Sequence, residues 1–132
     1  MSTITKEVIY GGLHHCALLV SDVEMSKQFY MEVLGFSDVS HLRNLPYPGF
    51  YFQVGRDQVH VMGLPNPDPI EGRPSHGGRD RHTAVNVNNI DNLRLRLESK
   101  SVEYTMSSSG RRAIFCRDYD GNAFEFMEDI TL

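Results

Sequence analysis

Three histidines and a glutamate fall at matching places along this chain of 132 residues. His15 is followed 45 residues later by His60, and His82 is followed 43 residues later by Glu125. Imidazole and carboxylate together suit a first-row transition ion, whereas calcium and magnesium prefer oxygen alone. A single strand histidine is more often a packing residue than a ligand. Here the repetition changes the weighting, because the segment from His15 to Val20 (HCALLV) matches the segment from His82 to Val87 (HTAVNV) at a spacing of 67, and internal repeats reveal an architecture before any single residue does.

The elements that must position these residues follow from pattern. The run Leu13–Val20 is apolar and bounded by Gly11-Gly12 and Ser21-Asp22, which reads as a strand. Ser21 or Asp22 caps a helix in which Val23, Phe29, Val33 and Leu34 share a face and Gly35 is the stop. Three strands are expected between Phe36 and Leu64, with His41 in the outer one. Residues 65–80 hold four prolines and three glycines, so they read as a linker loop. The order then returns as HTAVNVNN, IDNLRLRLESK, SVEYTM, RRAIFCRD and NAFEFME, with Leu93, Leu95 and Leu97 expected near the buried side of the second helix. The expected fold class is α+β: two tandem βαβββ modules, about 11–64 and 81–128, in one domain.

Strand parity supports convergence of the four residues. Gln58, His60 and Met62 share one face of their strand and Val59 and Val61 the other, while Glu125 stands between Phe124 and Phe126. A carboxylate set in an aromatic strand is costly to bury without a cation or donor, and a metal would serve. His14 is expected to face away from His15, and His76 lies in the loop.

Composition narrows the function classes. A net charge of −4 and a pI near 5.8 leave no basic stripe for nucleic acid. Arg73, Arg79 and Arg81 cluster in the loop, where a solvated surface is favoured over an anion site. Cys16 and Cys116, in apolar runs with no CxxC, read as buried hydrophobes in a reduced cytoplasm. Neither a signal peptide nor a membrane span is expected.

At this point the chain resembles the vicinal oxygen chelate superfamily, which includes glyoxalase I, fosfomycin resistance proteins, methylmalonyl-CoA epimerase and extradiol dioxygenases. The resemblance is carried by LHHCALLVSDVEMSKQFYMEVLGF, QVHVM, HTAVNVNNIDNLRLRLES and FCRDYDGNAFEF. It implies an incompletely closed barrel, commonly in a homodimer, with His15, His60, His82 and Glu125 on the four ligand positions of metal-bound members. Glyoxalase I usually has glutamate where this chain has His60, which leaves Glu125 as the carboxylate able to move substrate protons. The expected cofactor is divalent Ni, Zn, Fe, Co or Mn, and the expected substrate a small molecule that chelates it through neighbouring oxygens. The leading chemistry is of the lyase or isomerase kind, with Glu125 or His60 shuttling a proton. The alternatives are an extradiol-type dioxygenase using His15, His82 and Glu125, and a metal-free drug-binding protein. Arg111 and Arg112, after the Ser107–Gly110 turn, are candidates for anchoring an anionic substrate group.

Overall fold

The computed structural model describes residues 6–132. The first module runs β1 (His15–Leu19), α1 (Val23–Gln28), β2 (Ser37–Asp38), β3 (Gly49–Val54) and β4 (Asp57–Met62). The second repeats it as β5 (His82–Val87), α2 (Ile90–Ser99), β6 (Tyr104–Met106), β7 (Ala113–Arg117) and β8 (Ala123–Glu128). Each module makes one four-stranded sheet, ordered β1-β4-β3-β2 and β5-β8-β7-β6. In both, the opening strand runs parallel to the closing one and the rest are antiparallel. The sheets are α+β modules that do not close on each other. No helix among the described residues is long and apolar enough to cross a membrane.

Local chemistry accounts for most boundaries. Asp22 caps α1 by accepting from the Met25 N–H at 3.0 Å, and Asn89 caps α2 through the Asn92 N–H at 3.0 Å. Gly35 ends the first helical segment with φ +83°, and the Arg96 guanidinium occupies the space a Cβ would need. Three expectations need correction. The helix from Val23 changes into a π-helical turn over Phe29–Val33, whose wider winding buries the adjacent Phe29 and Tyr30 together. The outer strand of the first module is only two residues long, because Asp38 accepts both the N–H and the hydroxyl of Ser40 (2.8 and 2.6 Å) and curls the chain into a 3-10 turn holding His41. On α2, Leu93 and Leu97 are buried while Leu95, halfway around the helix, is 65% exposed.

The two modules share one apolar core. Phe50, Phe52, Val59 and Val61 meet Val85, Leu97, Phe124 and Phe126 there. Tyr30 is the joint: its ring lies 4.9 Å from Phe52 and 5.7 Å from Phe124. Its hydroxyl donates to Asp118 Oδ2 at 2.6 Å. Asp118 sits in the turn between β7 and β8 and also accepts from the backbone N–H groups of Asp120 and Asn122 and from Asn122 Nδ2, each at 2.9 Å. The same turn reaches across to β1, with Asn122 Nδ2 donating to the Leu19 carbonyl (3.0 Å) and Asp120 Oδ1 accepting from the Ser21 N–H (3.0 Å). Gly121, at φ +80°, makes the turn tight enough to do so.

The linker carries a 3-10 turn at Gly77–Arg79 and is tied down by charge. Arg117 and Arg73 converge on Asp80 at 2.9 and 3.2 Å, holding its carboxyl below the usual range, and Arg81 pairs with Asp68 at 2.7 Å. Arg73 and Arg81 are therefore paired cations.

The buried Tyr30–Asp118 bond has a charged acceptor, so its loss should be felt. Tyr30→Phe is expected to cost about 1.5–3 kcal/mol in a urea titration. Tyr119→Phe, at a tyrosine 57% exposed, should stay within about 0.5 kcal/mol of wild type.

Candidate metal centre

The register of the two sheets places the four candidate ligands equivalently. Ala17 of β1 lies opposite His60 of β4, so His15 and His60 are diagonal neighbours on one face. Ala84 of β5 lies opposite Glu125 of β8, which gives His82 and Glu125 the same offset. The His15 and His60 rings stack with centroids 3.9 Å apart. His82 Nε2 lies 3.1 Å from Glu125 Oε1.

His60 is enclosed. Tyr51, its cross-strand partner on β3, stacks on the other face of the imidazole at 3.5 Å, and Nε2 is hydrogen-bonded to Gln58 Oε1 at 3.1 Å. Burial, helped by the charges of His15, Arg43 and His14, pulls its pKa down to about 4. At neutral pH His60 is thus an uncharged imidazole, the form in which a histidine binds metal or takes a proton.

The second pair carries a sharper signal. His82 Nδ1 lies 2.8 Å from the Asp80 carbonyl oxygen, which can only accept, so Nδ1 holds the hydrogen. In the neutral ring Nε2 then offers a lone pair, and it faces a carboxylate oxygen that is also an acceptor. Two acceptors at 3.1 Å repel unless a cation lies on them, either a proton or a metal ion. Their separation also fits adjacent ligands on an octahedral ion with bonds of about 2.1–2.2 Å. The carbonyl behind Nδ1 is the kind of partner that orients a ligating histidine. Glu125 is 4% exposed, and its other oxygen, Oε2, accepts from the Arg111 guanidinium at 3.1 Å. Phe115, the cross-strand partner of Glu125, lies edge-on to His82 at 5.5 Å.

The two pairs do not meet within one chain. Val59 and Val61 flank His60, Phe124 and Phe126 flank Glu125, and all four apolar side chains enter the shared core. Parity therefore puts each pair on the face of its sheet that points away from that core. His15 lines a cleft of about 100 Å³ and His82 a different one of about 310 Å³. Between them Cys16 Sγ touches Thr83 Oγ1 at 3.8 Å. Among the described residues no three His, Cys, Asp or Glu side chains come close enough to hold one ion. A larger cavity, about 720 Å³ beside Lys100–Thr105 and Phe115–Tyr119, includes none of the four.

Arg111 and Arg112 part company. Arg111 points onto Glu125, whereas Arg112 turns to Glu128 (2.7 Å) and Asp91 (3.0 Å), away from the pair. His14 touches His15, with Nδ1 atoms 2.8 Å apart; it precedes β1, so strand alternation does not govern it. His76 has a structural role, accepting from the Gly78 N–H and donating to the Met106 carbonyl. Cys116 is an inert buried thiol, its pKa pushed up to about 12 by burial and by Asp118. Tyr51, Gln58 and Phe115 carry no mark of their own in the sequence as parts of the site; the available signal is register, since Tyr51 and Phe115 stand opposite the two β4 and β8 candidates.

The family model for the Glyoxalase/Bleomycin resistance protein/Dioxygenase superfamily matches residues 12–126. The chain belongs to this superfamily. The uncharacterized protein YaeR of Escherichia coli is 31% identical over 127 residues, 88% of this chain and 95% of its own. Mouse mitochondrial methylmalonyl-CoA epimerase is 29% identical over 121 residues, 83% of this chain and 67% of its own. Among solved structures, a point mutant of the fosfomycin resistance protein FosX from Listeria monocytogenes, complexed with Mn(II) and 1S,2S-dihydroxypropylphosphonic acid, superposes with a TM-score of 0.69 at 19% identity. That match covers 91% of this chain and 93% of FosX, and it shows the glyoxalase fold.

The depressed pKa of His60 has a measurable sign. Between pH 6.5 and about 4 the unfolded chain binds a proton at this residue that the folded chain refuses. Stability is present above that window and lost as pH falls through it. In metal-stripped protein, the urea midpoint should drop from about pH 7 to about pH 5, and His60→Gln should make that drop smaller.

Proposed function

We propose that the chain is a metal-dependent, glyoxalase-like lyase or isomerase that works as a homodimer. His15 and His60 of one copy and His82 and Glu125 of the other hold each divalent ion. The observation that carries this reading is the pair of acceptors at His82 and Glu125, which calls for a cation and offers only two donors. A twofold that brings the ligand-bearing face of one copy's first module against that of the other's second completes both sites at once, because such an interface is self-complementary.

Three imidazoles and one carboxylate favour Ni, Zn, Fe, Co or Mn. When bound, the ion polarises neighbouring substrate oxygens and acidifies the C–H beside them. The chain's own residues do the rest. Glu125 Oε2, the oxygen turned away from His82 and held by Arg111, would take and return that proton. Tyr51 and Phe115 wall the two halves and keep water from their ligands. A small substrate with neighbouring oxygens, such as a hydroxyketone, diketone or enediolate, fits this chemistry; the likeness to methylmalonyl-CoA epimerase, an isomerase by its name, supports the reaction class.

A second reading draws on one observation, the clamping of His60 between Tyr51 and His15 with Nε2 tied to Gln58. If His60 stays outside the coordination sphere, His15, His82 and Glu125 form the two-histidine, one-carboxylate set of an iron dioxygenase. Oxygen uptake with Fe(II) and a catechol panel distinguishes it. A drug-binding protein without metal is distinguished by metal content alone.

The shared site makes a specific expectation. Protein purified without added metal should hold about one ion per chain, and both His15→Ala and Glu125→Gln should lose most of it. Co-expressed, the two variants pair at random, and half the dimers carry both lesions in one site and an intact second site. Metal content and activity should return to about a quarter of wild type. No recovery in demonstrably mixed dimers rules out the shared site.

A further inference from the structure

The cations near the candidate centre are not equally committed. Arg112 has Glu128 and Asp91, Arg73 and Arg117 share Asp80, and Arg81 has Asp68. Among the described residues Arg111 has one carboxylate partner, Glu125 Oε2 at 3.1 Å, and that carboxylate is a candidate ligand. The Arg111 side chain is 56% exposed, so one edge of its fork meets Glu125 while the rest opens to solvent. Its Nε donates to Ser109 Oγ (3.2 Å), which is bonded to Ser107 Oγ (2.8 Å), so the hairpin between β6 and β7 holds the group beside Glu125.

Charge balance decides what this arrangement does. In the metal-free chain the single negative charge of Glu125 is compensated on Oε2 by Arg111. A divalent ion on Oε1 and His82 satisfies the carboxylate from the other side and repels the guanidinium a few ångströms away. Arg111 would then be an uncompensated cation, held beside the ion with its remaining N–H donors open to an incoming ligand. A planar guanidinium with free N–H donors is matched by an oxyanion of carboxylate or phosphate geometry.

We propose that Arg111 is an exchange cation: it stands in for the metal on Glu125 in the empty site, and in the loaded site it anchors an oxyanionic group of the substrate. This rests on the metal-dependent reading above and adds a substrate class, small anionic compounds bearing a carboxylate or phosphate-type group. It also sets an order, metal first and anion second.

Titration calorimetry with Mn(II) alone, then with inorganic phosphate on apo and Mn-loaded protein, tests this on the full chain. Wild type should bind phosphate at least about ten-fold more tightly once loaded. Arg111→Gln should hold Mn(II) about two- to five-fold more tightly, since a half-exposed competitor is gone. Its loaded form should bind phosphate about ten-fold more weakly than loaded wild type, with Arg111→Lys between the two and Arg112→Gln unchanged. Phosphate affinity that is the same in loaded wild type and Arg111→Gln overturns the anchor, and so does weaker Mn(II) binding in Arg111→Gln. If Mn(II) still binds wild type and is lost in Glu125→Gln, those results leave the metal centre standing; if wild type takes up no Mn(II), both readings fall together.

Discussion

The fold depends on a buried carboxylate. Asp118 gathers four donors in the turn between the last two strands, one of them the Tyr30 hydroxyl of the other module. Burial pushes its pKa above the ordinary carboxylate range while those donors pull it back. The knot draws the helix-bearing faces of both sheets into one core. Strand alternation then leaves the opposite faces for polar chemistry, and the ligand pairs end on outer surfaces without any further device.

At those outer faces the governing quantity is charge. Glu125 is nearly inaccessible, and a buried carboxylate is kept only when its charge is met. Arg111 meets it from solvent on Oε2, while Oε1 faces His82 Nε2 across a gap that a cation would fill. On the other module the equivalent problem does not arise, because His60 takes the place of a carboxylate and burial simply holds it neutral. The duplicated unit has thus reached two different electrostatic solutions at one position of the same register.

Much of this is legible in the residues. The repeat, the cap of the first helix, the stop at Gly35 and the separation of His60 from Val59 and Val61 onto opposite strand faces follow from local rules that tertiary packing does not override. What cannot be read has identifiable causes. Leu95 groups with Leu93 and Leu97 by composition, although residues two apart lie on opposite sides of a helix. The short β2 reflects Asp38 side-chain bonds that compete with the ladder. Arg111 and Arg112 are adjacent arginines with opposite roles, and only the register of β7 against β8 separates them. The division of the ligands into two pairs is illegible because an internal repeat gives equivalence of position, and the relative orientation of the units depends on the Tyr30–Asp118 contact, 88 residues apart in the chain.

The shared diagonal offset of the two pairs also dictates which changes of chain length the centre can tolerate. A residue gained or lost at the Gly55-Arg56 turn or in the Ser107–Gly110 hairpin leaves the strands in phase. One gained within β4 or β8 would exchange the two faces of that strand, sending His60 or Glu125 into the core and a valine or phenylalanine toward the ion. The polar surface is therefore protected against drift in loop length, but it is exposed to any insertion that alters strand phase.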